Sequence, residues 1–197
     1  MVLTLYALIR EKLSAKHMQM EVFRAARTGA CDELRELLAR GGDPNAVDGE
    51  GMTAMMMAAG RGHLNCVQVL VESGADINLQ DKRKGLTALK FAVGEARVDV
   101  ARYLLDQGAD VNETDHFGRT GLMFAAGQGS IPMVALFLER GADVNQKDVY
   151  QNTALTNAED MERWEIRDML LEAGAEEIER HFVGGEEPDS QKDSRET

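Results

Sequence analysis

The sequence predicts an all-α repeat solenoid with short β-hairpin fingers, and three observations carry that prediction. One phrase occurs four times, beginning Gly-Met-Thr-Ala-Met at Gly51, Gly-Leu-Thr-Ala-Leu at Gly85, Gly-Arg-Thr-Gly-Leu at Gly118 and Gln-Asn-Thr-Ala-Leu at Gln151. Its threonines, Thr53, Thr87, Thr120 and Thr153, lie 34, 33 and 33 residues apart. A second phrase keeps the same beat, as Gly-Ala-Asp-Ile-Asn from Gly74 and Gly-Ala-Asp-Val-Asn from Gly108 and Gly141, with a looser copy from Gly41. A fixed period in this range marks a stacked array in which each unit buries its apolar face only against its neighbours. The function of such an array resides on its surface.

Each element follows from local chemistry. The repeated threonine suits a helix N-cap, because its hydroxyl accepts a hydrogen bond from a free N–H of the first turn. Met55, Ala58 and Ala59, and likewise Leu89, Ala92 and Val93, then line one side of a short helix. Gly62 and Gly129 break that helix from a second one, and Ala96 takes the glycine's place in between. The second helices carry apolar stripes at helical period: Leu64, Cys66, Val67, Leu70; Val98, Val100, Leu104; Ile131, Met133, Val134, Phe137. Glycines such as Gly74 end them in a left-handed C′ conformation, and Asp and Asn turn the chain into a finger.

At these residues the chain resembles the ankyrin-repeat family, over roughly Met20 to Gly174. The family's Thr-Pro-Leu-His-x-Ala phrase is altered here. Its proline position holds Ala54, Ala88, Gly121 and Ala154, and its histidine position Met56, Lys90, Met123 and Thr156. The expected organisation is an N-terminal helix over residues 1–19 packed on the first repeat, repeats at about 20–50, 51–84, 85–117, 118–150 and 151–176, and an acidic polar tail over 177–197, disordered from about 184. Glu33 and Glu36 stand where inner repeats carry apolar residues, as a water-facing capping unit requires. Trp164 falls in phase with Leu64 and is expected to be buried.

Composition narrows the function. The formal charge of −12 opposes nucleic-acid binding, which needs a basic stripe to neutralise phosphates. Residues 2–9 are too short for a membrane span and lack the flanks of a secretory signal, so a cytoplasmic location is expected, with secretion by an unrecognised route left open. Cys31 and Cys66 read as inert core thiols. The histidines have no metal-ligand spacing, no glycine loop cradles phosphate, and no nucleophile elbow is present. The expectation is no catalysis, no metal and no cofactor.

The resemblance implies binding of a partner protein by a monomer, through the hairpin tips and the exposed inner-helix positions that line the concave side. By phase these are Met52 and Met56; Arg83, Lys84, Leu86 and Lys90; His116, Phe117, Arg119 and Met123; and Tyr150 and Asn152. Phe117 and Tyr150 occupy equivalent tips, and Lys82-Arg83-Lys84 makes one tip basic in an acidic chain. Met56 and Met123 are open to two readings, contact with the partner or filling of gaps between repeats. The role is that of an adaptor, with an inhibitor or immunity-type regulator of an enzyme or toxin, or a secreted effector, as alternatives.

Overall fold

The computed structural model describes residues 2–177, with side chains from residue 14 onward. The polar tail from residue 178 lies outside the described residues. Ten helices occur among these: α1 (Val2–Thr28), α2 (Cys31–Ala39), α3 (Ala54–Arg61), α4 (Leu64–Glu72), α5 (Ala88–Gly94), α6 (Val98–Asp106), α7 (Gly121–Gln128), α8 (Ile131–Glu139), α9 (Ala154–Asp160) and α10 (Trp164–Glu172). Odd-numbered helices stack into an inner row and even-numbered ones into an outer row, and the core runs between them. The segment expected as a separate N-terminal helix is continuous with the first inner helix, both being α1.

Every later inner helix starts as its threonine dictates. Thr53, Thr87, Thr120 and Thr153 accept from the N–H groups of Met56, Lys90, Met123 and Thr156 at 3.2, 3.4, 3.3 and 3.2 Å. The reciprocal bond depends on the residue in the altered histidine position. Met56 Sδ and Met123 Sδ accept from the threonine N–H at 3.4 Å, and Thr156 Oγ1 does so at 2.8 Å. Lys90 makes no such bond. Left-handed residues end the inner helices: Gly62 and Gly129 adopt φ of 78° and 83°, while Ala96 and Glu162 adopt 53° and 55°. Without glycine's freedom, each of the latter two costs about 1 kcal/mol.

One core position shows how side-chain volume is shared. Phe137 is fully buried in α8, where the equivalent positions hold the fully buried Leu70, Leu104 and Leu170. Its ring occupies the space that Ala54, Ala88 and Ala154 fill elsewhere, and the residue at that point is Gly121. A Cβ on Gly121 would lie 2.7 Å from Phe137 Cε1, inside van der Waals contact. Repeat four thus exchanges an Ala–Leu pair for Gly–Phe.

Polar bonds tie successive repeats together at the start of each finger. Asn45, Asn78, Asn112 and Asn145 accept through Oδ1 from the backbone N–H of Asp76, Asp110, Asp143 and Glu176 in the next repeat. Asn in the Gly-Ala-Asp-Val-Asn phrase is therefore an inter-repeat clamp as well as a turn former.

Two expectations are corrected. Trp164 is 58% exposed, whereas its counterparts Leu64, Val98 and Ile131 are half-buried against the core. Those counterparts lie on outer helices that each pack against a following one, whereas none follows α10 among the described residues. Cys31 and Cys66 are joined as a disulfide that links α2 to α4, with Cα atoms 4.9 Å apart. Cys66 lies two positions beyond the repeat equivalent of Cys31, so equivalence by phase hid a proximity set by how the two outer helices stack.

Candidate partner-binding surface

The fingers are built by a row of aspartates that repeats with the threonines: Asp48, Asp81, Asp115 and Asp148. Oδ1 of Asp81 accepts from the N–H groups of Lys84, Gly85 and Leu86, Oδ1 of Asp115 from Phe117 and Arg119, and Oδ1 of Asp148 from Tyr150 and Asn152. Asp81, Asp115 and Asp148 are buried. Each finger is thereby folded around a carboxylate rather than a strand ladder; among the described residues a single antiparallel bridge, Val47 to Thr53, is the only β pairing. Adjacent fingers are stitched by backbone bonds, Lys82 N–H to Glu50 C=O, His116 N–H to Lys84 C=O and Val149 N–H to Phe117 C=O. This regularity projects the tip residues to one side. Spacing alone would have revealed the aspartates, which sequence reading passed over in favour of Asp76, Asp110 and Asp143.

At the tips, Phe117 is 39% exposed and Tyr150 71%. Arg83, Lys84 and His116 are exposed, and Arg83 pairs with Glu50 at 3.1 Å. Leu86, Met52 and Asn152 are half-buried. Arg119 is held by three groups at once. Its guanidinium donates to Asp115 Oδ2 at 2.9 and 2.7 Å and lies over the rings of Phe117 and Phe124, 5.0 and 4.6 Å from their centroids. Burial alone would raise the Asp115 pKa, but the Arg119 side chain and the Arg119 and Phe117 N–H groups outweigh it and hold the carboxyl below its ordinary value.

Three predicted contact residues point the other way. Met56, Lys90 and Met123 are 1%, 4% and 2% exposed and belong to the packed interior. For the methionines the gap-filling reading therefore stands. The physical reason is the cap: the residue at this position donates its backbone N–H to the N-cap threonine at the start of the helix, and the sulfurs of Met56 and Met123 also fold back to the threonine N–H. The partly exposed position is the next one, Met57, Phe91, Phe124 and Asn157, all half-buried. A helical count from the threonine would have found them. Phe124 and Asn157 join Arg119, Tyr150, Asn152 and Met161 around a groove of about 460 Å³ between repeats four and five. Met161 is 58% exposed at its far end.

Lys90 has a specific cost. Its Nζ is buried without a hydrogen-bond partner. Burial pushes its pKa below the ordinary 10.5, with Arg119 adding to the lowering and Glu113, Asp115 and Asp110 opposing it. Lys90→Met removes the buried amine and supplies the sulfur acceptor that Met56 and Met123 provide, so it is expected to stabilise by about 1–2 kcal/mol at neutral pH. Between the folded pKa and 10.5 the unfolded chain binds more protons, so the parent gains stability as pH rises through that window. Urea denaturation of both proteins at neutral pH and near pH 10.5 is expected to show the gap narrowing at high pH.

Two family models match the chain, one for ankyrin repeats in three copies over residues 22–115 and one for ankyrin repeats in many copies over residues 104–158. Among curated proteins, the ankyrin repeat protein YahD of Escherichia coli (strain K12) is 39% identical over 69 residues, 35% of this chain and 34% of YahD. Human ankyrin repeat domain-containing protein 29 is 49% identical over 59 residues, 29% of this chain and 20% of that protein. The chain thus spans about a third or less of the length of these relatives. No helix among the described residues is long and apolar enough to cross a membrane. The matched segments run from within α1 into α9, through the capped inner helices, outer helices and fingers described above, and the chain belongs to the ankyrin-repeat family.

Proposed function

We propose that this chain is a non-catalytic interaction module, acting as a monomeric adaptor in the cytoplasm, that binds a partner protein through its finger tips and inner-helix groove. Ankyrin repeats generally mediate protein–protein interaction. One observation carries the finer reading: Phe117 and Tyr150 stand exposed on stitched, equivalent tips above a groove that Arg119 and Phe124 line. Aromatic and arginine anchors at the centre of a patch carry most interface energy. Folding does not require them, because the finger is organised by Asp115 and Asp148. Arg83 and Lys84 act on association rate more than on residence.

Affinity capture with the full chain and with a Phe117→Ala/Tyr150→Ala variant, read by mass spectrometry, tests this reading. The expected result is a specific partner enriched by the parent and lost with the variant. A second reading, an inhibitor or effector working in an oxidising compartment, is favoured by the Cys31–Cys66 bridge, since disulfides persist mainly there.

A further inference from the structure

The inner face carries a second groove, of about 610 Å³, at the opposite end of the array from the one between repeats four and five. Its charged lining is Arg27, Arg61 and Arg97 against one carboxylate, Glu95, and its apolar lining includes Met52, Met57 and Phe91. In a chain of net charge −12 this local sign is the reverse of the whole. None of the three arginines makes an ion pair among the described residues, whereas Arg35, Arg83 and Arg102 each pair with a glutamate. Arg97 is nevertheless held in place: its stem lies where a Cβ on Gly62 would fall 2.9 Å from Cδ, and its Nε is 3.5 Å from Gly60 O. Arg27 leads into a turn fixed by His63, whose Nε2 lies 3.2 Å from the Arg27 carbonyl oxygen. Unpaired guanidinium groups beside half-buried apolar side chains offer bidentate carboxylate contacts next to an apolar seat.

We infer that the groove lined by Arg27, Arg61 and Arg97 binds an acidic, amphipathic peptide segment of a partner protein. The carboxylates meet the arginines while apolar side chains lie on Met52, Met57 and Phe91. A polyphosphate chain fits less well, because it has no apolar side chains for Met52, Met57 and Phe91 to receive. The inference rests on the inner face being the binding face, but it uses different residues from those of the finger tips. The groove at repeats four and five differs in character: Asp115 neutralises Arg119 there, and Asp148 and Asp160 contribute to the lining.

The test is selection of peptides of roughly 15 residues from a displayed random library on the full chain, a length that spans one groove. Enriched sequences are then synthesised and titrated against the parent, Arg61→Gln/Arg97→Gln and Phe117→Ala/Tyr150→Ala. Arg61→Gln alone, at an exposed helix end, serves if the double variant has lost its helical circular dichroism. The expected peptides are rich in Asp and Glu with spaced apolar residues. They weaken about tenfold or more with the arginine variant and with added salt, and keep their affinity for the aromatic variant. Neutral or basic winners, or acidic winners indifferent to the arginine variant, would overturn the inference. Winners lost only with the aromatic variant would overturn it while leaving the finger reading intact, and an absence of winners would count against both. An oligothymidylate or a synthetic peptide of residues 178–197 binding as tightly, with the same arginine dependence, would reassign the groove to polyanions in general or to the chain's own tail.

Discussion

Phe137→Ala is expected to lower the unfolding free energy by about 3–5 kcal/mol, the range for deleting a fully buried aromatic side chain. The opposite error at the same contact is expected to be costly too. Gly121→Ala drives a methyl group into the Phe137 ring and should lose about 1–3 kcal/mol. The decisive comparison is the pair Gly121→Ala/Phe137→Leu, which restores the Ala–Leu combination found at Ala54 and Leu70, Ala88 and Leu104, and Ala154 and Leu170. Because the two residues share one volume, the double variant is expected to be more stable than Gly121→Ala alone. Chemical denaturation of the parent, Gly121→Ala, Phe137→Leu and the double variant gives the coupling energy directly. Strict additivity would mean that Phe137 relaxes freely away from residue 121 and that the exchange has no packing basis.

Asp115→Ala is expected to cost about 3 kcal/mol, because it leaves the Phe117 and Arg119 N–H groups and the Arg119 guanidinium without their shared acceptor. Asp115→Asn keeps an oxygen for the backbone but loses the charge, so its effect should be smaller and pH-dependent. The folded pKa of Asp115 is depressed. Its stabilisation is therefore fully present above the unfolded value of about 3.9 and disappears as pH falls through the folded value. Urea midpoints of the parent and Asp115→Asn should accordingly converge under strongly acidic conditions. A constant gap across that range would show that charge contributes nothing to the finger. Loss of the aspartate also frees Arg119 from the position in which it lies over Phe117 and Phe124. Partner affinity is thus expected to fall together with stability, although Asp115 is itself buried.

The period made the stack, the threonine caps and the order of helices and fingers readable from sequence, because those features depend on which residues are equivalent. Equivalence does not say which way a side chain faces. Met56, Lys90 and Met123 were placed on the binding face by family phase, yet their position closes the cap and turns them inward. The neighbouring Met57, Phe91 and Phe124 were overlooked for the same reason. Trp164 shares a register with Leu64 but not its surroundings, since no outer helix follows α10 among the described residues. Cys31 and Cys66 are not equivalent positions, and only the stacking of α2 on α4 brings them together. By contrast, Phe117, Tyr150, Arg83 and Lys84 are exposed as read, because the finger tips project from the stack and are set by local turn chemistry.

The central claim is that the finger tips at Arg83 and Lys84, Phe117 and Tyr150, between repeats two and five, carry partner binding, and a titration of the purified partner measures it most directly. Phe117→Ala, Tyr150→Ala and an Arg83/Lys84 charge reversal are compared with the parent and with Arg102→Ala, an exposed change on the outer helix α6. With folding verified by circular dichroism, each aromatic truncation is predicted to cost about 2 kcal/mol, or some thirtyfold in affinity. The charge reversal should slow association and reduce its salt dependence, and Arg102→Ala should bind as the parent does. Parent-like binding by all three tip variants, with weakening by Arg102→Ala, would contradict the account and move the functional surface to the outer helices.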